Sequence, residues 1–355
     1  MKITTIGIDL AKEVFQIHGV DMYGKALLRK QLRRSEMSKF FANLEPCLIG
    51  MEACGSSHHW ARKLCEFGHT VKLMSPQFVK PYVKTNKHDM ADAEAICEAV
   101  SRPNMRFVSI KNIEQQAILS VHRARQGFVK ARTAQANQIR GLLSEFGIVI
   151  PQGIRSIINR VPDILEDAGN DLPGSMRHLL KQLNDHLKQL SRQIEELELQ
   201  IKLWHKENEA SQRLEAIPGI GPITASAIVA TVGNATEFKN GKQLSAWFGL
   251  VPKQCSSGGK QILLGISKRG DTYLRTLLIH GARAVIRFAE NKEEPESWLR
   301  KLMARRNKNI AAVALANKNA RIIWALLTQG TTFHHNRATT AVAAEHDYGC
   351  CIEIY

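Results

Sequence analysis

Nine apolar residues, Met176, Leu180, Leu183, Leu187, Leu190, Ile194, Leu197, Ile201 and Trp204, recur at spacings that alternate four and three. Over about four heptads this is the period of a helical stripe, so residues 176–204 read as one long helix whose apolar seam has to meet another helix. Two partners meet that need. One is the same seam in a second copy, which makes the stretch an intermolecular coiled coil. The other lies upstream, where residues 114–146 contain no proline and are rich in helix formers, enough for an antiparallel partner within the chain. The span Lys111 to Glu145, which contains most of that helix, is basic: Lys111, Arg123, Arg125, Lys130, Arg132 and Arg140 stand against Glu114 and Glu145. Pro151, Pro162 and Pro173 punctuate the connector between the two.

Before this helical region the period changes to two. Residues 3–9 (ITTIGID), 14–20 (VFQIHGV) and 26–32 (ALLRKQL) read as three short strands separated by polar or glycine-containing turns, hence an antiparallel meander. A polar helix at 35–44, a buried strand at 48–52, a helix at 56–67, a strand at 70–74 and an Ala- and Glu-rich helix at 89–101 follow. Strands that then alternate with helices predict an α/β domain with a mixed sheet and helices on its faces. The order β-β-β-α-β-α-β-α is that of the ribonuclease H fold, in which strands one and four are neighbours.

Past Ser211 the chain reads as mostly α-helical. Residues 214–233 (LEAIPGIGPITASAIVATVG) set Gly-Ile-Gly between two apolar helical segments. This is the pattern of a helix-hairpin-helix whose glycines let backbone amides approach a phosphate, and equally of a plain helical corner without a ligand. Ser297 to Arg321 holds Arg300, Lys301, Arg305, Arg306, Lys308, Lys318 and Arg321 and no acid, which reads as a surface for a phosphate backbone. From Thr331 large apolar side chains are scarce, as in a loosely ordered tail. Four segments result: an α/β domain over 1–105, a basic helix and coiled-coil linker over 106–210, a helical domain over 211–330, and the tail over 331–355.

The 355 residues carry 49 Lys and Arg against 33 Asp and Glu, a net charge of +16 with a pI near 9.6. Such a surplus calls for a polyanionic partner, nucleic acid before an anionic membrane. The longest uncharged run, Ala216 to Thr236, is interrupted by Pro218, Gly219, Gly221, Pro222, Gly233 and Asn234, so no membrane partner is expected. Asp9 breaks the first apolar stretch, no secretion signal precedes it, and a cytoplasmic protein is expected. Seven cysteines without a C-x-x-C pair predict neither disulfides nor a zinc knuckle, and mostly buried thiols.

The candidate chemistry is carboxylate chemistry. Asp9 ends the first strand and Glu52 the fourth, positions that the ribonuclease H order sets side by side. Asp89 and Asp92 are three apart at a helix start and share a face. Singly, Asp9 reads as a helix cap and the Asp89/Asp92 pair as favourable charge in a first turn. Together, four converging carboxylates repel one another unless a hard cation such as magnesium neutralises them. Two such ions polarise a scissile phosphate and stabilise its attacking and leaving oxygens.

These carboxylates and their surroundings, GIDLAK, GMEACGSSHHWA and KHDMADA, resemble the DEDD motif of the insertion-sequence-110 family of transposases, in particular its 1111 subgroup. IPGIGPITASAIVATVG, AWFGLVPKQCSSGGK and GISKRGDTYLRTLLIHGARA resemble that family's second domain, so the likeness covers residues 1–330. The resemblance implies a RuvC-like N-terminal domain, a coiled-coil linker and a C-terminal transposase domain in a magnesium-dependent DNA recombinase. Such an enzyme works as a homo-oligomer, dimer or tetramer, on donor and target DNA, guided by a structured RNA from the element's own end.

The resemblance also implies a nucleophilic serine. Ser256 and Ser257 in CSSGGK fit its position, and Ser257, directly before the glycine pair, matches better. Read from its residues alone, the same string is a polar turn between helices. Lys260, Lys268, Arg269, Arg275 and Arg283 are candidate phosphate holders. Serine and carboxylates on separate domains suggest a composite site built from two protomers. Two other functions draw on the same residues: a RuvC-like Holliday-junction nuclease uses the carboxylates and water without the serine, and a non-catalytic nucleic-acid-binding protein uses only the basic helices.

Overall fold

The computed structural model describes residues 2–84, 88–289 and 297–333. The tail expected from Thr331 lies, from residue 334 on, outside the described residues, as do Cys350 and Cys351. The chain divides into two compact units, Met1–Gln115 with Val232–Glu237, and Gln116–Thr231 with Phe238–Tyr355.

The first unit is built on a mixed sheet of β1 (Thr5–Leu10), β2 (Val14–Val20), β3 (Ala26–Arg33), β4 (Leu48–Glu52), β5 (Thr70–Met74) and β6 (Phe107–Val108). Its order is β3-β2-β1-β4-β5-β6. β1 pairs antiparallel with β2 and parallel with β4, which makes strands one and four neighbours. Helices α1 (Met37–Ala42), α2 (Ser57–Glu66), α3 (Pro76–Val79) and α4 (Asp89–Val100) complete the unit. The single helix expected at 35–44 is a 3-10 turn, Arg34–Glu36, running into α1.

The two faces of the sheet differ in kind. On one, Ile6, Ile8, Ile49 and Met51 are fully buried in a core with Phe15, Phe41 and the α2 residues Trp60, Ala61 and Leu64. On the other, the register pair Gly7↔Gly50 presents no side chains, and α4 crosses there. A Cβ on Gly7 would lie 2.2 Å from the Ala93 carbonyl oxygen and 2.4 Å from the Cys97 nitrogen, and one on Gly50 2.7 Å from the Val100 Cβ. Only glycine lets α4 seat directly on the backbone of β1 and β4. Within that contact the Cys97 thiol faces the Thr5 carbonyl at 3.7 Å, and burial pushes its pKa up to about 12.

The second unit is helical apart from one hairpin. It contains α5 (Ile113–Ser144, entering at Gln116), α6 (Ile154–Glu166), α7 (Gly174–Glu207), α8 (Glu209–Glu215), α9 (Pro222–Val232), α10 (Gly241–Trp247), the strands β7 (Pro252–Ser257) and β8 (Lys260–Ile266), α11 (Thr272–Ala289), α12 (Trp298–Arg305) and α13 (Lys308–Gln329). The apolar seam lies on α7, and its partner is internal. Leu180 and Leu187 pack with Ala136, Ile139 and Leu143 of α5 and Ile157 and Val161 of α6. Further along, Ile201 packs with Ile118 and Ala230. Leu190 and Ile194 are buried in the same chain. Six of the nine seam residues, Met176, Leu180, Leu187, Leu190, Ile194 and Ile201, are thus buried within one chain.

Two further expectations, on the proline connector and on the cysteines, are corrected, and one glycine of the Gly-Ile-Gly string takes a packing role. The proline-punctuated connector contains α6, with Pro162 inside it, because Ile154, Ile157, Ile158, Val161, Ile164 and Leu165 form an apolar stripe that outweighs one lost amide bond. The first glycine of Gly-Ile-Gly serves helix packing: Gly219 (φ +86°) would place a Cβ 2.8 Å from the Gly281 carbonyl oxygen of α11, while Asn319 of α13 donates to the Pro218 carbonyl at 3.0 Å, and Gly221 faces open space. Of the five described cysteines, all free, only Cys47 and Cys97 are buried, because the other three sit on α2, the loop after β4 and the hairpin.

Among the described residues α13 alone is long and apolar enough to cross a membrane. Its Ala311, Ala312, Ala316, Ala320 and Ile323 are fully buried, in the manner of a core helix.

Candidate active site

Asp9 lies in β1 one step beyond the last paired residues, Ile8↔Met51, and so comes level with Glu52 at the end of β4. Both stand two residues beyond the glycine pair, on the face that α4 covers. α4 begins at Asp89 under the cap of His88, whose Nδ1 accepts the Met90 amide at 3.2 Å. Seating α4 on Gly7 carries this first turn to the end of β1. There one carboxylate oxygen from each of Asp9, Asp89 and Asp92 lies within 4.8 Å of the others. Asp9 and Asp92 are half-buried and Asp89 is exposed.

Oxygens sharing one cation stand at most about 4.2 Å apart on magnesium and about 4.8 Å apart on calcium, twice the respective bond lengths. The triple is thus close enough to converge on one cation, and its all-oxygen donor set suits a hard divalent one. Glu52 stands outside that triple. The Cys54 thiol, in the loop after β4, senses both strand ends: partial desolvation by its surroundings raises its pKa, and the charges of Glu52 and Asp9 raise it further. Sequence reasoning gave this thiol no place at the site.

The serines lie in the second unit, on the β7–β8 hairpin. Gly258 and Gly259 have φ of +57° and +79°, the pair of positive angles that a two-residue type I′ turn requires. The flanks of SSGGK are thus strands, not the helices that the plain reading of the string expects. Ser257 pairs with Lys260 across the turn and is exposed. The Ser256 hydroxyl accepts a hydrogen bond from Gln254 Nε2 at 2.9 Å. Both serines are exposed, and Ser257 directly flanks the glycine turn.

Arg275 does not face outward with the other candidate phosphate holders. It is buried on α11 and ties the base of the hairpin together, donating from Nη1 to the carbonyls of Phe248 and Arg269, each at 3.2 Å, and from Nη2 to Thr272 Oγ1 at 3.1 Å. Beside it Gly249 (φ +74°) packs so closely that a Cβ would lie 2.0 Å from the Arg269 carbonyl oxygen. Lys260, Lys268, Arg269 and Arg283 are exposed. In the basic run, Lys301, Arg305 and Lys308 are exposed, whereas Lys318 lies over the Trp298 ring at 4.9 Å, where burial and then Arg321 lower its pKa.

Comparison with known proteins accounts for both halves of the chain. The family model described as "Transposase IS116/IS110/IS902 family" matches residues 211–297, and an IS110 DEDD model described as "Transposase" matches residues 6–148. A "Probable family 20 transposase" of Pseudomonas aeruginosa is 54% identical over 94% of this chain and 99% of its own length. The "Transposase for insertion sequence element IS1111A" of Coxiella burnetii is 46% identical over 93% of this chain and 91% of its own. The "Transposase for insertion sequence element IS1328" of Yersinia enterocolitica is 44% identical over 93% and 98%. With carboxylates converging where the first model matches and relatives aligned along nearly the whole chain, this protein belongs to the IS110 family of insertion-sequence transposases.

Proposed function

We propose that this transposase cuts and rejoins DNA through a serine nucleophile, Ser257, together with a magnesium site of Asp9, Glu52, Asp89 and Asp92 in a ribonuclease H-like, RuvC-like domain. The convergence of the Asp9, Asp89 and Asp92 oxygens carries the reading. Bound magnesium would supply Lewis acidity to the scissile phosphate and offset the negative charge of its oxygens. The chain's own part is nucleophilic. The Ser257 hydroxyl loses its proton, Oγ bonds to phosphorus, and the bond from phosphorus to the leaving strand breaks as that oxygen takes a proton. The phosphoserine link conserves the energy of the broken bond for rejoining. Exposed Lys260, Lys268 and Arg269 on or beside the hairpin are suited to hold the DNA phosphates.

The wider assembly follows the family resemblance: a cytoplasmic homo-oligomer, dimer or tetramer, acting on donor and target DNA and guided by structured RNA. The net charge of +16 supports nucleic-acid partners. Sequencing RNA that copurifies with the protein tests the guide.

The mechanism is tested by single substitutions. Asp9→Asn or Asp92→Asn should abolish recombination while fold and RNA binding persist. Ser257→Ala should abolish both strand cleavage and the DNA-linked protein band on a denaturing gel, with Ser256→Ala largely active. Cleavage that survives in the double alanine variant would assign the attack to water and favour the resolvase-like nuclease.

A further inference from the structure

Strand β3 lies at the edge of the first unit's sheet, and it is basic. Residues 22–35 hold Lys25, Arg29, Lys30, Arg33 and Arg34 and no acid. Two of these cations are taken up against the core. Lys30 Nζ stands 5.2 Å from the centre of the Phe40 ring, and Arg34 donates from Nε to the Lys12 carbonyl at 2.8 Å with its guanidinium over the Phe15 and Trp60 rings. Arg29 and Arg33 differ. Both are exposed, and among the described residues no acid forms an ion pair with either.

The register fixes the face they occupy. Asp9 pairs with Gln16 across β1 and β2, and Gln16 pairs with Gln31 across β2 and β3. Directly paired residues share a face and alternate residues of a strand return to it, so Arg29, Gln31 and Arg33 stand on the carboxylate face, in and beside one cross-strand row that ends on Asp9. α4 seats on the backbone of β1 and β4, while Arg29, Gln31 and Arg33 are exposed, so this part of the face is open. Two strand spacings of about 4.8 Å put the β3 backbone about 10 Å from that of Asp9. This is about three steps of 3.4 Å along one DNA strand. Phosphates at that remove from the carboxylates are not neutralised by a cation held there. Two guanidiniums with an amide between them offset their charge and donate hydrogen bonds to their oxygens.

We infer that Arg29, Gln31 and Arg33 form a phosphate track on β3, which holds the DNA strand about three nucleotides from the phosphate at the carboxylates and so positions it for cutting. This rests on the proposed cleavage at the carboxylate site and adds a direction to it: the bound strand crosses β2 towards β3. In the sequence ALLRKQL is a strand whose charges belong to no particular face, and only the pairing with β1 through β2 gives them one.

Full-length protein and duplex DNA whose cleaved phosphate is mapped from the recombination products test the track. Each phosphate contact contributes about 0.9 to the slope of log affinity against log salt. Arg29→Gln with Arg33→Gln should therefore lower the magnitude of that slope by about two, slow recombination about tenfold or more, and leave manganese affinity within a few-fold. Arg29→Lys with Arg33→Lys should keep the slope. Uncharged methylphosphonates placed singly locate the contact: one about three nucleotides from the cleaved phosphate should weaken binding by the wild type and have no further effect in the Arg29→Gln, Arg33→Gln protein. An unchanged slope in that protein, additive effects at every methylphosphonate, or a reduced slope for copurified RNA with that for DNA intact, overturns the inference. Asp9→Asn keeps the two readings apart. If it recombines at the wild-type rate while the methylphosphonate coupling persists, the metal-site assignment fails and the track stands; if it is inactive and the coupling is absent, the track alone fails.

Discussion

Gly7→Ala adds one methyl group where α4 crosses β1, far enough from the reacting groups to touch none of them. The new carbon would lie 2.2 Å from the Ala93 oxygen, 2.4 Å from the Cys97 nitrogen and 2.8 Å from the Cys97 Cα. All three are backbone atoms, so no side chain can turn aside. Comfortable contact needs about 3.5 Å, and α4 has to withdraw by about 1 Å. Overpacking of this kind costs about 1–3 kcal/mol. The larger effect is on the site, since the helix that moves carries Asp89 and Asp92. Their oxygens, now within 4.8 Å of the third oxygen on Asp9, would pass beyond the span that one hard cation bridges.

Misplacement by about 1 Å costs about 10²-fold in rate, so Gly7→Ala should be folded, at least tenfold weaker for manganese, and about 10²-fold slower in recombination. Gly50→Ala is the comparison. The three atoms nearest its Cβ all belong to the side chain of Val100, at 2.7 to 3.1 Å, at the far end of α4. It should lower the unfolding midpoint, leave manganese affinity within a few-fold, and be relieved by Val100→Ala. Manganese binding followed by electron paramagnetic resonance, beside thermal unfolding, reads both quantities. Gly7→Ala with wild-type affinity and activity, or Gly50→Ala equally impaired for metal, would refute the idea that helix seating sets the carboxylate triple.

Three other outcomes follow from the second unit. His122, between the Tyr273 hydroxyl and Ser226 Oγ at 3.0 Å each, has its pKa pushed down to about 4 by burial and then by Arg125. The unfolded chain takes that proton near pH 6.5 and the folded one only near 4, so stability is complete above about 6.5 and falls by about 3 kcal/mol down to about 4; urea unfolding of His122→Asn should show a flatter pH slope, and equal slopes would refute the assignment. Arg275→Met should speed hydrogen exchange at the β7–β8 amides without changing the salt dependence of DNA binding, whereas a slope reduced by about one unit would return Arg275 to the phosphate holders. Leu187→Glu with Ile194→Glu should unfold the second unit, costing more than about 4 kcal/mol; a folded variant of smaller mass by light scattering would restore the intermolecular seam.

What could be read from the sequence depended on how many neighbours a segment's pattern had to satisfy. β4 and β5 lie beside other strands and under helices, so their apolar runs were plain, and the seam of α7 was plainer still because nine residues repeat it. Which surface covers a seam is a different question, since α5, α6 and a second copy all offer apolar faces and periodicity does not choose among them. The β7–β8 hairpin left no alternation to find. Every residue of β7 is exposed, and β8 is exposed as far as Gly265, so neither strand has a buried face that would impose a period of two. Only the glycine pair marked the turn. Pro162 misled for the opposite reason: one strong local breaker was weighed above six weak apolar contacts that act together.

At the site, residue type was legible and supporting geometry was not. Asp9, Asp89 and Asp92 announce themselves as carboxylates, and the strand order carries Asp9 and Glu52 to adjacent ends. Gly7 and Gly50 look merely like poor strand residues until the parallel register puts them opposite each other, and then they become the reason that α4 can approach at all. Arg275 shows the same limit from the other side. Its charge suggested a phosphate, but a guanidinium with two carbonyls and a hydroxyl already in reach is satisfied by the protein. Charge in a sequence therefore marks a capacity to hold an anion. Whether that capacity is spent inside the fold, as at Arg275, or turned outward, as at Lys260 and Arg269, is decided by the backbone carbonyls that the fold brings within reach.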